Sequence, residues 1–540
     1  MLGCSLSALN GYFPNMEATF DKLQRHNVIE RIWQKDHTVW KPDADEIANR
    51  LGWLDIPSVM RERLVELSEF SHSLKEERFR DVVLLGMGGS SLGPEVLKQT
   101  FGSLPGYPKL TILDSTVPDC IRTVQDSINL KKTLFIVASK SGTTIEPLSL
   151  FQYFREMAET RLGTVEARRN FVTITDNGTP LARQAEEDGF RRLFLNPSDI
   201  GGRYSVLSYF GLVPAAAMGL DLASLVDSAV RMKTRCRRHE DLSRNPGVVL
   251  GVITGHSVLS GRDKLTLVTS PSIRSFGLWV EQLLAESIGK EGTGIIPIMG
   301  EPLVKPNYYG EDRLFIHLRL AEDDNAEIDT AIDKIRVSGY PVIRLDMQNL
   351  YDLGAEFFRW EFATAVAGAI LDVQPFDQPD VDSAKKATDH VLEEFLTSGK
   401  LKDEELILSF PDLLAQAARG RYLAILAYLN ESPELEKDVS DIRHMIVERY
   451  GIATTFGYGP RYLHSTGQLH KGGPDTGLFL QIIQPHDWDN PIPGKPYSFG
   501  SLANAQALGD LKTLLSLHRS VARIDLDSEK ALSQVLGVVR

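Results

Sequence analysis

Twice in close succession the chain runs a short, unbroken apolar stretch into a glycine-containing loop and then into a helix. The first copy is Asp81-Val-Val-Leu-Leu-Gly86, then Met87-Gly-Gly-Ser-Ser-Leu-Gly-Pro94, then a helix over Glu95–Phe101. The second is Lys132-Thr-Leu-Phe-Ile-Val-Ala138, then Ser139-Lys-Ser-Gly-Thr-Thr144, then a helix over Pro147–Arg161. Continuous apolar runs of this length are what strands buried on both faces of a parallel sheet require. Strand, glycine turn and helix together gather backbone N–H groups and a helix N-terminus around one point, which suits an anion. The fold class expected is α/β, with doubly wound parallel sheets sandwiched between helices.

The second loop is chemically sharper than the first. Ser139, Ser141, Thr143 and Thr144 supply four hydroxyls and Lys140 a charge. A helix cap needs only one hydroxyl, so four around a glycine point to phosphate. The first loop meets the spacing G-x-G-x-x-G only if Ser91 replaces the last glycine, and no G-x-x-x-x-G-K-[ST] loop occurs. No nucleotide cofactor is therefore expected.

At 540 residues the chain exceeds one core, and a prior of roughly 150 residues per domain favours three or four units. Residues 1–78 read as a helical arm, 79–221 as a first α/β unit, and 222–246 as a charged, solvated linker helix. Residues 247–398 read as a second α/β unit and 399–540 as a C-terminal α/β segment. The second unit opens with the apolar runs Val248–Thr254 and Leu265–Thr269. Strands at Leu314–Leu320 and Pro341–Met347, with a helix between, make a βαβ unit. In the tail, Leu478-Phe-Leu-Gln-Ile and Val521-Ala-Arg-Ile-Asp525 echo Leu314-Phe-Ile-His-Leu and Val342-Ile-Arg-Leu-Asp346, a weak sign of internal duplication.

A net charge of −13 argues against non-specific nucleic-acid binding. Cys4, Cys120 and Cys236 lie far apart without metal spacing, which fits a reducing, cytoplasmic setting. No stretch approaches the roughly 18 apolar residues of a membrane span, so no membrane partner is expected. His464 and His470, six apart with no Cys or carboxylate in ligand register, are poor metal ligands, and no metal site is expected.

Trp279-Val-Glu-Gln-Leu-Leu-Ala-Glu-Ser-Ile-Gly-Lys290 reads as a helix stopped by Gly289. Gln282 and Glu286, four apart, share one face against its apolar grain. A carboxylate there is either part of a surface face with Glu281, or a buried group that needs pairing or use. Arg203, in Gly201-Gly-Arg-Tyr-Ser205, stands where it can clamp negative charge, although taken alone it reads as a surface Arg. Lys385 follows Gln378 by about two helical turns, and Lys386 is its neighbour.

Together these segments resemble the phosphoglucose isomerases, two-domain enzymes of the sugar-isomerase (SIS) fold, over about residues 80–390 and again in the tail. Gly86–Pro94 matches that family's glycine loop, Ser139–Thr144 its phosphate loop, Gly201–Ser205 its arginine segment and Gln282–Lys290 the stretch with its general base. Phe376–Lys385 is similar to the segment with its substrate-binding Gln and catalytic Lys, and His464–Gln468 to its ring-opening His segment. The His segment comes after the Lys segment, whereas most members place it before. That order resembles the isomerase half of bifunctional transaldolase/phosphoglucose isomerase proteins.

The resemblance implies interconversion of glucose 6-phosphate and fructose 6-phosphate through a cis-enediol, with catalytic residues Glu286, His464, Lys385 and Arg203. Ser139, Lys140, Ser141 and Thr144 would hold the phosphate; Gly89, Ser90 and Gln378 the sugar hydroxyls; Gln282 joins the substrate contacts. A dual phosphoglucose/phosphomannose isomerase and a non-catalytic sugar-phosphate sensor remain as alternatives. So do His470 in place of His464 and Lys386 in place of Lys385. The family implies a homodimer, often with the His lent by the partner subunit; the displaced tail offers His464 within one chain instead. A separate transaldolase is left open as a partner.

Overall fold

The computed structural model describes residues 12, 13, 15–398, 408–485, 488–526, 535 and 537. Three parallel sheets carry the architecture. The first joins β1 (Asp81–Leu85), β2 (Lys109–Leu113), β3 (Thr133–Ala138), β4 (Phe171–Asp176) and β5 (Arg192–Asn196) in the order β2-β1-β3-β4-β5. The second joins β6 (Lys264–Thr269), β7 (Ile296–Met299), β8 (Arg313–Leu320) and β9 (Val342–Met347) as β7-β6-β8-β9. The third joins β10 (Tyr422–Tyr428), β11 (Ala453–Tyr458), β12 (Gly477–Ile483) and β13 (Ser520–Asp525) as β11-β10-β12-β13. All pairings are parallel. The α/β reading holds, with a third sheet where the tail was read only as an α/β segment.

Each sheet begins in the same winding, the second strand outside the first and the third and fourth on its far side. The strands whose sequences echo one another, β8 with β12 and β9 with β13, occupy equivalent places. β1 and β3 are buried along almost their whole length, which explains their unbroken apolar character.

Three expectations change. Val248–Thr254 is the middle of a helix, Pro246–Leu259, buried all round, so its apolar run reflects burial and not a strand. The linker helix Leu222–Cys236 is not a solvated spacer: Leu225, Val226, Ala229, Met232 and Cys236 form a buried stripe. Its arginines cluster past the packed part, which made the segment look polar overall. The helical arm is not continuous over its last stretch: it divides at Arg63 into helices Ile56–Glu62 and Leu64–Glu76.

The N-terminal arm seals the main core. Trp33 stacks on Phe358 and Phe362, and Trp40 donates its indole N–H to the Ala365 carbonyl at 2.8 Å. Burying side chains of this size contributes about 1.5–3 kcal/mol each. The arm also grips the segment ahead of Arg203: Gly52 N donates to Asp199 O at 2.8 Å, and Trp53 packs on Tyr204. A second core lies between the first sheet and the C-terminal unit, joining Val83, Leu85 and Phe151 with Tyr462, Phe499 and Leu508. The C-terminal unit is thus docked on the first unit. Among the described residues no helix is long and apolar enough to cross a membrane.

Candidate active site

The glycine loop after β1 brings two segments together. Gly88 has φ +55°, and a Cβ there would stand 2.9 Å from the His464 carbonyl and 3.0 Å from Gln282 Nε2. A Cβ on Gly89 would fall 2.0 Å from the Gly202 carbonyl. The absence of side chains therefore lets the arginine segment, the base helix and the His turn meet at one point.

Arg203 is 2% exposed, so the surface reading of that residue fails. Its guanidinium is fully engaged: Nε donates to Ser287 Oγ at 2.8 Å, and Nη1 to Glu286 Oε2 at 3.2 Å and Gln378 Oε1 at 3.0 Å. Nη2 donates to the carbonyls of Pro375 and Asp377 at 2.9 and 2.8 Å. The rigid fork of Arg can span that set; the single ammonium of Lys cannot. Glu286, 7% exposed, lies on the buried helix Phe276–Ile288, which equally excludes a surface face. Burial raises its carboxyl above the ordinary glutamate range, opposed by Arg203 and His464. Gln282 approaches the same carboxylate at 3.4 Å and donates to the His464 carbonyl at 2.9 Å.

Beyond the His turn opens a cavity of about 200 Å³, lined in part by Ser141, Thr143, Thr144, Lys385 and His464. The helix Ile145–Leu162 starts at this cavity, and its N-cap Thr144 makes no side-chain capping bond. Capping therefore does not account for the hydroxyls. Hydroxyls and a helix N-terminus on one cavity are surroundings that suit an anion. Lys385 reaches the cavity while Lys386 is not on its wall, a distinction set by helix phase. His464 Nε2 lies 2.8 Å from Glu146 Oε1, which also accepts from Gln506 Nε2 at 2.7 Å. Burial alone would raise the Glu146 carboxyl, yet the His464 imidazole holds it below the ordinary value. His470 is packed between the rings of Tyr462 and Phe479, and burial pushes its basicity well below the usual range. Within this chain the His464 turn meets Gly88 and Gln282 of the first and second units.

Other expected residues stand apart from the cavity wall. Lys140 turns away, pairing with Asp176 and donating to Ser198 O at 3.0 Å, so its charge is already committed. Ser139 is buried and donates to Thr144 Oγ1 at 3.1 Å. Gly89 and Ser90 form the turn that meets the arginine segment. Three participants escaped the sequence reading. Glu146 meets the imidazole, Gln506 holds Glu146, and Lys290 holds the 374–377 loop through Gln374 O and Asp377. Burial lowers the Lys290 ammonium to about 7.

Residues 65–295 match the family model described as phosphoglucose isomerase, which spans the glycine loop, the hydroxyl loop, Arg203 and Glu286. A glucose-6-phosphate isomerase of Carboxydothermus hydrogenoformans is 30% identical over 395 residues, 63% of this chain and 84% of that one. The chain belongs to the phosphoglucose isomerase family. A probable glucose-6-phosphate isomerase of Methanococcus maripaludis is 28% identical over 397 residues, 66% of this chain and 87% of its own length. Among solved structures, a glucose-6-phosphate isomerase from Chlamydia trachomatis superposes with TM-score 0.61 at 18% identity, covering 71% of this chain and 86% of that one. A hypothetical protein from Thermus thermophilus reaches 0.62 at 24% identity, covering 73% and 100%. At these identities both are likenesses of fold. In this family member Gln378, Lys385 and His464 lie beyond the segment that the family model matches.

Proposed function

We propose that the chain interconverts glucose 6-phosphate and fructose 6-phosphate without a cofactor. The observation that carries this reading is a buried Glu286–Arg203 pair beside a cavity walled by hydroxyls, a helix N-terminus, Lys385 and His464. The phosphate lies at Ser141, Thr143 and Thr144, with Lys385 as its counter-charge. His464, oriented by Glu146, moves a proton between the ring oxygen and the anomeric hydroxyl, opening the ring. Glu286 then takes the proton from C2 of the aldose and returns it to C1. The intermediate is a cis-enediol, and hydroxyl and carbonyl exchange places with no net loss of atoms or electrons. A carboxyl raised by burial suits that shuttle, because it holds and releases a proton nearer neutrality than a solvated one. Arg203 faces the charge that develops on the enediolate oxygen. Gln282 and Gln378 position the sugar hydroxyls.

The test is a coupled assay with fructose 6-phosphate as substrate and glucose-6-phosphate dehydrogenase as reporter, with EDTA present and absent. Equal turnover in both is expected. Mannose 6-phosphate with a fructose 6-phosphate readout checks the dual-specificity alternative, and comparable turnover of it would replace the narrower reading. Binding of fructose 6-phosphate without turnover of any of the three sugars would make the protein a sensor.

A further inference from the structure

The helix that carries Glu286 has a second polar face. Glu281, one residue before Gln282, lines a cleft of about 430 Å³ between this helix, the helix after the glycine loop and the C-terminal unit. Glu281 is 8% exposed and makes no hydrogen bond among the described residues. Burial pushes its carboxyl up to about 8, against the pull of Arg443 and Arg461. The hydroxyl of Tyr458, on the opposite wall, is likewise buried without a hydrogen-bond partner.

The cations nearby are already occupied. Arg443 donates to Met299 O, Gly300 O and both oxygens of Thr454. Arg461 forks onto Asp114 and reaches Glu431 at 2.7 Å. Glu95 is held by Lys98 and Gln99. Two carboxyl groups, Glu281 at the base and Glu436 at the rim, face the cleft with no ion-pair partner among the described residues. Arg274 lies exposed on the wall. Phe456 and Tyr458 form a ring pair 4.7 Å apart, with the Arg461 guanidinium 5.8 Å from the Tyr458 ring, which leaves Phe456 as the more open aromatic face. Unpaired carboxyls beside aromatic faces in a partly desolvated cleft are the surroundings that attract an alkylammonium group.

We propose that this cleft is an effector site for a small organic ammonium ion, which donates to Glu281 and the Tyr458 hydroxyl and rests against the Phe456–Tyr458 rings. An occupant bears on the catalytic groups through two short paths. Glu281 precedes Gln282 on the base helix, and Arg461, Tyr462 and Ser465, all on the cleft wall, bracket the His464 turn. Effector and substrate affinities must then shift each other by the same factor.

The experiment is isothermal titration of the full chain with putrescine, using 1,4-butanediol as its uncharged match. Saturable putrescine binding and none of the diol are expected. At pH 7 about one proton should be released per putrescine bound, read from buffers of different ionisation enthalpy, because a neutral buried carboxyl must ionise to pair. Arg443 is held by neutral oxygens, and Arg461, Glu95 and Glu431 are ion-paired. Glu436 and Arg274 are exposed, and burial raises the Tyr458 and Tyr462 hydroxyls. Because burial raises the Glu431 carboxyl as well, it is the loss of release in Glu281→Gln that assigns the proton to Glu281. Glu281→Gln keeps shape and neutrality; it should bind about tenfold more weakly and release no proton. Tyr458→Phe should weaken binding while retaining the release. Saturating putrescine should change KM for fructose 6-phosphate at least about twofold. No putrescine binding, equal binding of the diol, or unchanged affinity in Glu281→Gln overturns the site. Binding with unchanged kinetics overturns the effector role. The titration needs no turnover, so a chain that binds putrescine but does not isomerise would refute the proposed function alone.

Discussion

Arg203 and Lys385 are the two cations at the ends of the site, and their surroundings are opposite. Around Arg203 every guanidinium nitrogen has a protein acceptor, Glu286 is held at 3.2 Å, and water is excluded. Around Lys385 lies an open cavity whose hydroxyls are not spent on capping the helix behind them. The first half is charge fixed in advance, which suits a transition state whose charge forms and vanishes within one turnover. The second half suits a permanent anion, which would bring its own charge and exchange it for solvent at each binding event. Chemistry should therefore fail when the closed half is altered, and affinity when the open half is.

The largest effect is expected at Glu286. Glu286→Gln keeps the fold but cannot carry the proton, and kcat should fall by about 10³-fold or more with KM little changed; near-normal turnover would move the base elsewhere. Because burial raises this carboxyl and the proposed base is its ionised form, activity should be lost as pH falls through the raised value. The acid limb of kcat/KM should thus lie above the roughly 4.3 of a solvated glutamate.

Arg203→Lys comes next, with kcat lower by about 10²–10³-fold. It should also melt earlier, since Ser287, Gln378 and two loop carbonyls lose donors; a partly uncompensated Glu286 costs up to about 3–5 kcal/mol. An unchanged melting temperature would show that the closed half is not preorganised as described.

Glu146→Gln should slow the cyclic substrate by about 10²-fold by leaving His464 misoriented. Exchange spectroscopy of the sugar-phosphate anomers would show the ring-opening step itself slowed, and an unchanged exchange rate would detach Glu146 from that step.

The open half gives the smallest changes. Lys385→Ala should raise KM by about tenfold, the value of one charge-assisted contact, with kcat less affected. Lys386→Ala and Lys140→Ala should leave KM nearly unchanged, since neither side chain lies on the cavity wall. A large KM effect at Lys140 would mean that its pairing with Asp176 is exchanged for substrate.

What could be read from the residues follows the same division. Strands buried on both faces, such as β1, β3 and β8, announced themselves through unbroken apolar runs. β5 escaped because its alternate residues face outward at a sheet edge, β7 because it is four residues long and contains Pro297, and β11 because its threonines and glycine blend into a glycine-rich stretch. Ser141 stood out because its loop holds more hydroxyls than a cap needs. Arg203 and Glu286, each open to a surface reading from the residues alone, were singled out by the family resemblance, and their burial became visible only in the fold. Glu146 was not, because an acid in the first turn of a helix looks like a partner for the helix dipole. Gln506 was hidden in a small-residue helix, and only the docking of the C-terminal unit gives it a role. The choice between Lys385 and Lys386 is a matter of helix phase, which neighbouring lysines cannot reveal.

The placement of His464 in the last unit has a consequence for how activity appears during synthesis. The ribosome delivers the hydroxyl loop first, then Arg203 and Glu286, then Lys385, and the imidazole only when the third sheet is under way. A chain interrupted before that point would hold Glu286 and Arg203 but not the imidazole to which ring opening is assigned in the proposed mechanism. If His464 opens the ring as proposed, fragments that stop short of it, left by premature termination or cleavage, should be silent towards the cyclic sugar rather than partly active.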